Sequence, residues 1–165
     1  MGKATRGSRA AVSALLEQLD EAYDRQSWHG PNLKGSLRGL NSDQALWRPA
    51  LARHNAWEIV IHAAYWKYVA WRRLTGEKRG AFPRKGSNWI PSPMPPSEKR
   101  WRDDVILLGE SHRKLREAVT RLSDPDLRRR APGGKETIGR LVRGVAAHDL
   151  YHAGQVQLLK RLLRS

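Results

Sequence analysis

Apolar residues recur at helical spacing in four long stretches, and no stretch shows the period of two that marks a half-buried strand. The first covers about residues 8–25, with Val12, Leu15, Leu16, Leu19, Ala22 and Tyr23 on one face. The second covers about residues 55–74 and is apolar on two sides. Ile59, His62, Trp66 and Val69 make one stripe; Trp57, Ile61, Ala64, Tyr68 and Trp71 make the other. Such a helix belongs between neighbours, and Gly76 stands at its stop position. The third starts near Pro96-Ser97 and ends near Leu122. Its Trp101, Val105, Leu108, His112, Leu115, Val119 and Leu122 alternate spacings of four and three, the seam of a coiled-coil-like packing. The last covers about residues 137–163, with Leu141, Val145, His148, His152, Val156, Leu159 and Leu163 on one stripe.

The connections are uneven. Residues 28–53 contain Gly, Pro and Asn, and predict a short helix at about 33–40 and a second short element at 42–46, capped from Asn41-Ser42. Residues 76–97 are rich in Gly, Pro and Ser, carry Phe82 and Trp89, and are too long for a simple bundle turn. Ser123-Asp-Pro-Asp and Pro132-Gly-Gly punctuate the approach to the last helix. The expected fold is all-α: a four-helix bundle with a long crossover between helices 1 and 2 and a long loop between helices 2 and 3. A length of 165 residues suits one domain over 1–165, with residues 1–7 a flexible basic tail.

Composition narrows the chemistry. The chain has no cysteine, which excludes disulfides, thiolate metal sites and a cysteine nucleophile. No apolar run approaches a membrane-spanning length, and the basic N-terminus lacks the apolar core of a signal peptide, so the expectation is a cytoplasmic protein with no membrane partner. Lys and Arg total 31 against 16 Asp and Glu, a formal charge of +15. That balance admits nucleic acid as a partner. The positive residues are scattered, however, and no helix-turn-helix or zinc-finger spacing is apparent, so nucleic acid is not favoured.

Three histidines occupy core-facing positions. His148 and His152, four apart, lie one above the other on the apolar stripe of the last helix, and His62 lies on a stripe of the second. A buried imidazole without a partner costs a few kcal/mol. The residues alone leave two readings open: hydrogen-bonded core histidines, or ligands of one metal ion held between facing helices.

The segment His148-Asp-Leu-Tyr-His152-Ala-Gly-Gln155 resembles the last-helix signature of the DinB/YfiT-like superfamily, and Asn55-Ala-Trp-Glu-Ile-Val-Ile-His62 resembles its second-helix motif. The resemblance runs from about Leu15 to Leu163. It implies a four-helix bundle that holds one divalent metal ion (zinc, nickel or iron) on His62, His148 and His152. It further implies a small-molecule substrate, hydrolase or thiol-dependent transferase chemistry with a low-molecular-weight thiol as cosubstrate, and a homodimer. On three neutral imidazoles a divalent ion keeps an open position, where a water or a thiol would become a nucleophile. The competing expectation is a basic nucleic-acid-associated or stress-response metal-binding protein without catalysis.

Other residues stand near this site in the reading. Gln155 can bond a ligand or serve helix packing. His29, beside Trp28 in the crossover, could reach the pocket mouth. His112 on the third-helix seam is a core histidine or a fourth ligand. Trp89, alone in the Gly/Pro loop, is a lid over the site or packs on the bundle. His54 reads as a residue of the helix start, and Asp149 as pointing to a different face from the ligands.

Overall fold

A computed structural model describes residues 9–80 and 82–165. Six α-helices follow one another among the described residues: α1 (Ala10–Tyr23), α2 (Leu33–Ser36), α3 (Ser42–Leu46), α4 (Ala56–Thr75), α5 (Glu98–Thr120) and α6 (Ile138–Leu162). The basic tail expected over residues 1–7, and the first residue expected of α1, lie outside the described residues.

Local chemistry sets the helix ends. The Asn55 side chain accepts from the Glu58 amide at the start of α4, and Gly76, at φ 75°, closes it in the left-handed conformation that glycine adopts without strain. Asn41 and Gln44 form a capping box on α3. Ser97 caps α5 and Thr137 caps α6 in the same manner. The short helix expected at 33–40 stops at Ser36, because a turn follows in which Leu37 and Arg38 donate back to the carbonyls of Lys34 and Gly35.

The four long helices close a ring. α4 packs on α5 and α6, and α1 packs on the same two from the other side. α4 and α6 run antiparallel: Arg73 meets Glu136 near one end, Lys67 meets Asp149 at the middle, and His62 meets His148 and His152 beyond. Two apolar clusters fill the ring. One gathers Trp57, Ile61, Trp101 and Leu108 with Val156; the other gathers Leu15, Leu19, Leu115, Val119 and Val142.

The buried line of α6 follows the expected stripe at Val145, His152 and Val156 and departs from it elsewhere. Its fully covered line runs Val142, Val145, Asp149, His152, Val156, whereas Leu141, His148, Leu159 and Leu163 are half-buried at its edge. Asp149 stands on that line next to His148 in sequence, but it pairs with Lys67 and takes no part in the histidine cluster. α1, α2 and α4 all lean on α6, so its buried arc is wide enough to take in Asp149 beside His148.

Candidate metal centre

α4 and α6 bring three imidazoles edge to edge. Nε2 of His148 lies 2.9 Å from Nε2 of His62 and 3.0 Å from Nε2 of His152. The three ring nitrogens fall within 4.8 Å of one another. His62 and His152 are buried and His148 is half-buried.

The outer nitrogens determine what the inner ones carry. His62 Nδ1 lies 3.1 Å from the Asn88 carbonyl oxygen, which can only accept, so His62 holds its proton on Nδ1 and presents a lone pair on Nε2. His152 Nδ1 likewise donates to Gln155 Oε1 at 2.7 Å. Burial pushes the His62 imidazolium down to about 4, a shift the Asn88 bond only partly offsets. Burial, with His152 and His62 adding to it, pushes His148 down to about 3, and burial lowers His152 as well. All three are therefore neutral near pH 7. His148 Nε2 can donate one proton to one neighbour at most, so at least one of the two close nitrogen–nitrogen contacts has no hydrogen bond along it. A divalent cation resolves that close contact. Two ligand nitrogens about 2.0–2.1 Å from a tetrahedral zinc ion stand roughly 3.3 Å apart, close to the spacing found. The donor set fits a borderline metal: three imidazoles, no thiolate, no carboxylate among them.

The loop between α4 and α5 supplies one wall. Trp89 is sandwiched between His62 and His54, with ring centroids 3.7 Å and 3.6 Å away and planes within 6° of parallel. Asn88, at φ 59°, takes the left-handed conformation that asparagine tolerates better than most residues. That turn aims its carbonyl at His62 while its side-chain oxygen accepts from the Trp66 indole at 2.9 Å. His54 in turn bonds Glu58 Oε2 at 2.9 Å, and Arg48 bonds the other oxygen at 2.7 Å. Burial pushes the Glu58 carboxyl up, but these bonds outweigh it and hold the group below the usual carboxylate range.

His148 lines a cavity of about 370 Å³ between α4 and α6, whose wall also includes Trp66, Arg73, Glu136 and Arg140. Trp89 therefore covers the His62 side, while the cavity adjoins His148.

The residues singled out from the sequence fall into two groups. His62, His148, His152, Gln155 and Trp89 come together. His29 is exposed in the α1–α2 connection beside the fully exposed Trp28, with no ring contact or hydrogen bond to the triad. His112 belongs to a second polar cluster. Its ring stacks on Tyr23 at 4.0 Å, Nδ1 accepts from Lys67 Nζ at 3.3 Å, and Lys67 also pairs with Asp149. Asn88 and Lys67 were not singled out, and His54, read as a residue of the helix start, stands there beside the α4 cap Asn55 but also stacks on Trp89. Asn88 had a signal, an asparagine in a Gly/Ser loop, but nothing in sequence tied it to His62.

The model of the DinB superfamily matches residues 27–156 of this chain, well over half its length. The chain belongs to the DinB superfamily. Comparison with curated proteins and with solved structures finds no match. The match spans all three histidines, and the all-α architecture agrees with it. No helix among the described residues is long and apolar enough to cross a membrane.

Proposed function

We propose that this DinB-superfamily chain is a metal-dependent enzyme acting on a small molecule, with His62, His148 and His152 holding one divalent ion, and that its chemistry is hydrolysis or thiol-dependent group transfer. The observation that carries the reading is the meeting of three neutral imidazoles, two of which, His62 and His152, have their outer nitrogens already committed to carbonyl acceptors. Zinc, nickel and iron all suit such ligands. A divalent ion there supplies Lewis acidity that turns a water or thiol into a nucleophile near neutral pH.

The chain's own residues would do the rest. Asn88 and Gln155 fix the tautomers of His62 and His152 and so keep Nε2 available. Trp89 keeps water off one face of His62. The cavity beside His148 gives a small molecule access.

Metal analysis of protein purified without a polyhistidine tag is the deciding experiment, followed by a screen for activity with and without low-molecular-weight thiols. One tightly held equivalent and turnover of any ester, amide or electrophile support the reading. Protein that cannot be loaded with zinc, nickel or iron overturns it. Tyr151, Leu158 and Leu162 lie exposed along one side of α6, and we place the homodimer contact there. Sedimentation of wild type against Leu158→Glu decides that point.

A further inference from the structure

Arg73 pairs with Glu136 only at ion-pair distance and leaves hydrogen-bonding capacity unused. Its side chain is only 24% exposed, yet its guanidinium makes no hydrogen bond to the described residues: Nε is buried without a partner, and the nearest carboxylate oxygen among them, Oε2 of Glu136, stands 3.7 Å from Nη1. A guanidinium has five donors, and one so buried normally has them bonded. Glu136 is itself 44% exposed and too distant for a hydrogen bond to Arg73.

The position of Arg73 is as informative as its unused hydrogen-bond donors. It lies eleven residues after His62 on α4, three turns and about 20°, so His62, Trp66 and Arg73 share one side of that helix. Facing them on α6 are Arg140, Leu141, Gly144, Val145 and His148, which wall the cavity of about 370 Å³. Arg73 and Trp66 also wall an adjoining cavity of about 500 Å³. The described lining of that second cavity holds five cations, Arg72, Arg73, Arg79, Arg84 and Lys85, and no carboxylate. Of these, Arg84 is committed to Asp104. In the first cavity the charges are Arg73 and Arg140 against Glu136 alone. Both spaces therefore carry surplus positive charge, and both meet at Arg73 and Trp66.

We propose that this joined groove binds a small organic anion, its carboxylate or phosphate forked on Arg73, its body against the Trp66 ring, and its reacting end at His148. The last clause rests on the metal-site reading; the anion site at Arg73 does not. A planar fork matches either oxyanion through two parallel hydrogen bonds, which a lysine could not supply. Arg73 Nη1 lies beside Gly134 and Glu136, at the approach to α6, so the anion sits at the end of the groove away from the histidines. On α6, eight residues separate Arg140 from His148, about 12 Å of helix rise. The ligand is accordingly a molecule whose anionic group and reacting group are several bonds apart, not a simple inorganic anion.

The test follows the Arg73 side-chain Nε–H resonance by NMR, identified by its loss in Arg73→Gln. Three probes are titrated: 3-phenylpropionate, phenyl phosphate and the uncharged 3-phenylpropionamide, on metal-free and on zinc-treated protein. A saturable shift with one or both anions and none with the amide is expected, with affinity at least tenfold weaker in Arg73→Gln and unchanged in Arg113→Gln, which lies outside both cavities and pairs with Glu117. A response to the carboxylate alone or the phosphate alone assigns the anion. The proposal is overturned if neither anion moves the resonance, if the amide moves it equally, or if Arg73→Gln binds as tightly as wild type. Failure to take up zinc would sink the metal reading alone, since the anion site is judged on metal-free protein as well.

Discussion

Lys67 on α4 and Asp149 on α6 form an ion pair in which neither side chain has any exposure to solvent. It ties together the two helices that carry the three histidines, with Asp149 next to His148 in sequence and Lys67 five residues after His62. Burial pushes the Asp149 carboxyl up to about 6, against the pull of Lys67, and pushes the Lys67 ammonium down, against the pull of Asp149. Each charge is kept in the core by the other, and His112 and the Tyr23 ring, 4.9 Å from Nζ, add to the hold on Lys67.

Removing one partner leaves the other charge stranded. Lys67→Met and Asp149→Leu should each cost about 3–5 kcal/mol in urea unfolding. The double variant should recover most of that loss, because two apolar side chains can fill the space without any charge to solvate. Singles that cost under about 1 kcal/mol, on the scale of an exposed pair, would mean that the pair does not persist in solution.

The ligand set and its support should separate by degree. His62→Ala, His148→Ala and His152→Ala should each abolish stoichiometric zinc binding, since a three-ligand site has none to spare. Gln155→Leu removes only the acceptor for His152 Nδ1. It should weaken zinc about 10–100-fold without abolishing it. His54→Ala, which loses a stacking partner of Trp89 but no ligand, should keep its metal. Competition with a chromophoric chelator reads all five. Retention of one tight equivalent by the three ligand variants would mean that the ion sits elsewhere.

The parts of this site that sequence pattern reaches are those that replace an apolar residue at a periodic position. His62, His148 and His152 stand in for core residues and are visible for that reason. Caps were equally visible: Asn41 before α3 and Gly76 after α4 are local chemistry. Lys67 and Asp149 were not, because a polar residue at a core position reads as exposed until its partner on another helix is known. The same blindness put Leu141 and His148 on the buried line of α6 in place of Val142 and Asp149, while Val145, His152 and Val156 stand on it as expected. Asn88 lies further out of reach. Its role depends on where a loop of Gly, Pro and Ser comes to rest, and no periodicity encodes that.

Trp89 offers a kinetic test of the loop. Stacked between His54 and His62, it covers the side of the triad away from the cavity beside His148. Trp89→Ala should speed loss of zinc to excess chelator at least several-fold. Thermal stability should fall less than the loss of a fully buried tryptophan would cause, about 3–5 kcal/mol, since Trp89 is only half-buried. An unchanged release rate with a large drop in stability would reduce Trp89 to packing.

His112 should make the fold acid-sensitive in a way that can be assigned to one residue. Burial above all, then the neighbouring charges of Lys67, Arg116 and Lys34, pushes its imidazolium down to about 2, and its Nδ1 accepts from Lys67. Asp20 is the nearest carboxylate, 4.0 Å from Nε2, and it is already bonded to Arg116. Above the ordinary histidine value of 6.5 neither the folded nor the unfolded chain holds a proton there, and this residue adds no pH dependence. As the pH falls below it, the unfolded chain takes up a proton that the folded chain refuses, so stability is lost progressively toward the folded value near 2. The slope for one proton is at most about 1.4 kcal/mol per pH unit. His112→Phe keeps the ring on Tyr23 and deletes the titrating nitrogens, at a cost from Lys67's lost acceptor that does not vary with pH across this range. Urea unfolding of metal-free protein should therefore show wild type ahead at neutral pH and the gap narrowing as the pH drops from about 6 to 4. The histidines of the triad contribute the same slope to both proteins and cancel in the difference. Parallel stability curves over that range would mean that His112 protonates in place, with room to do so.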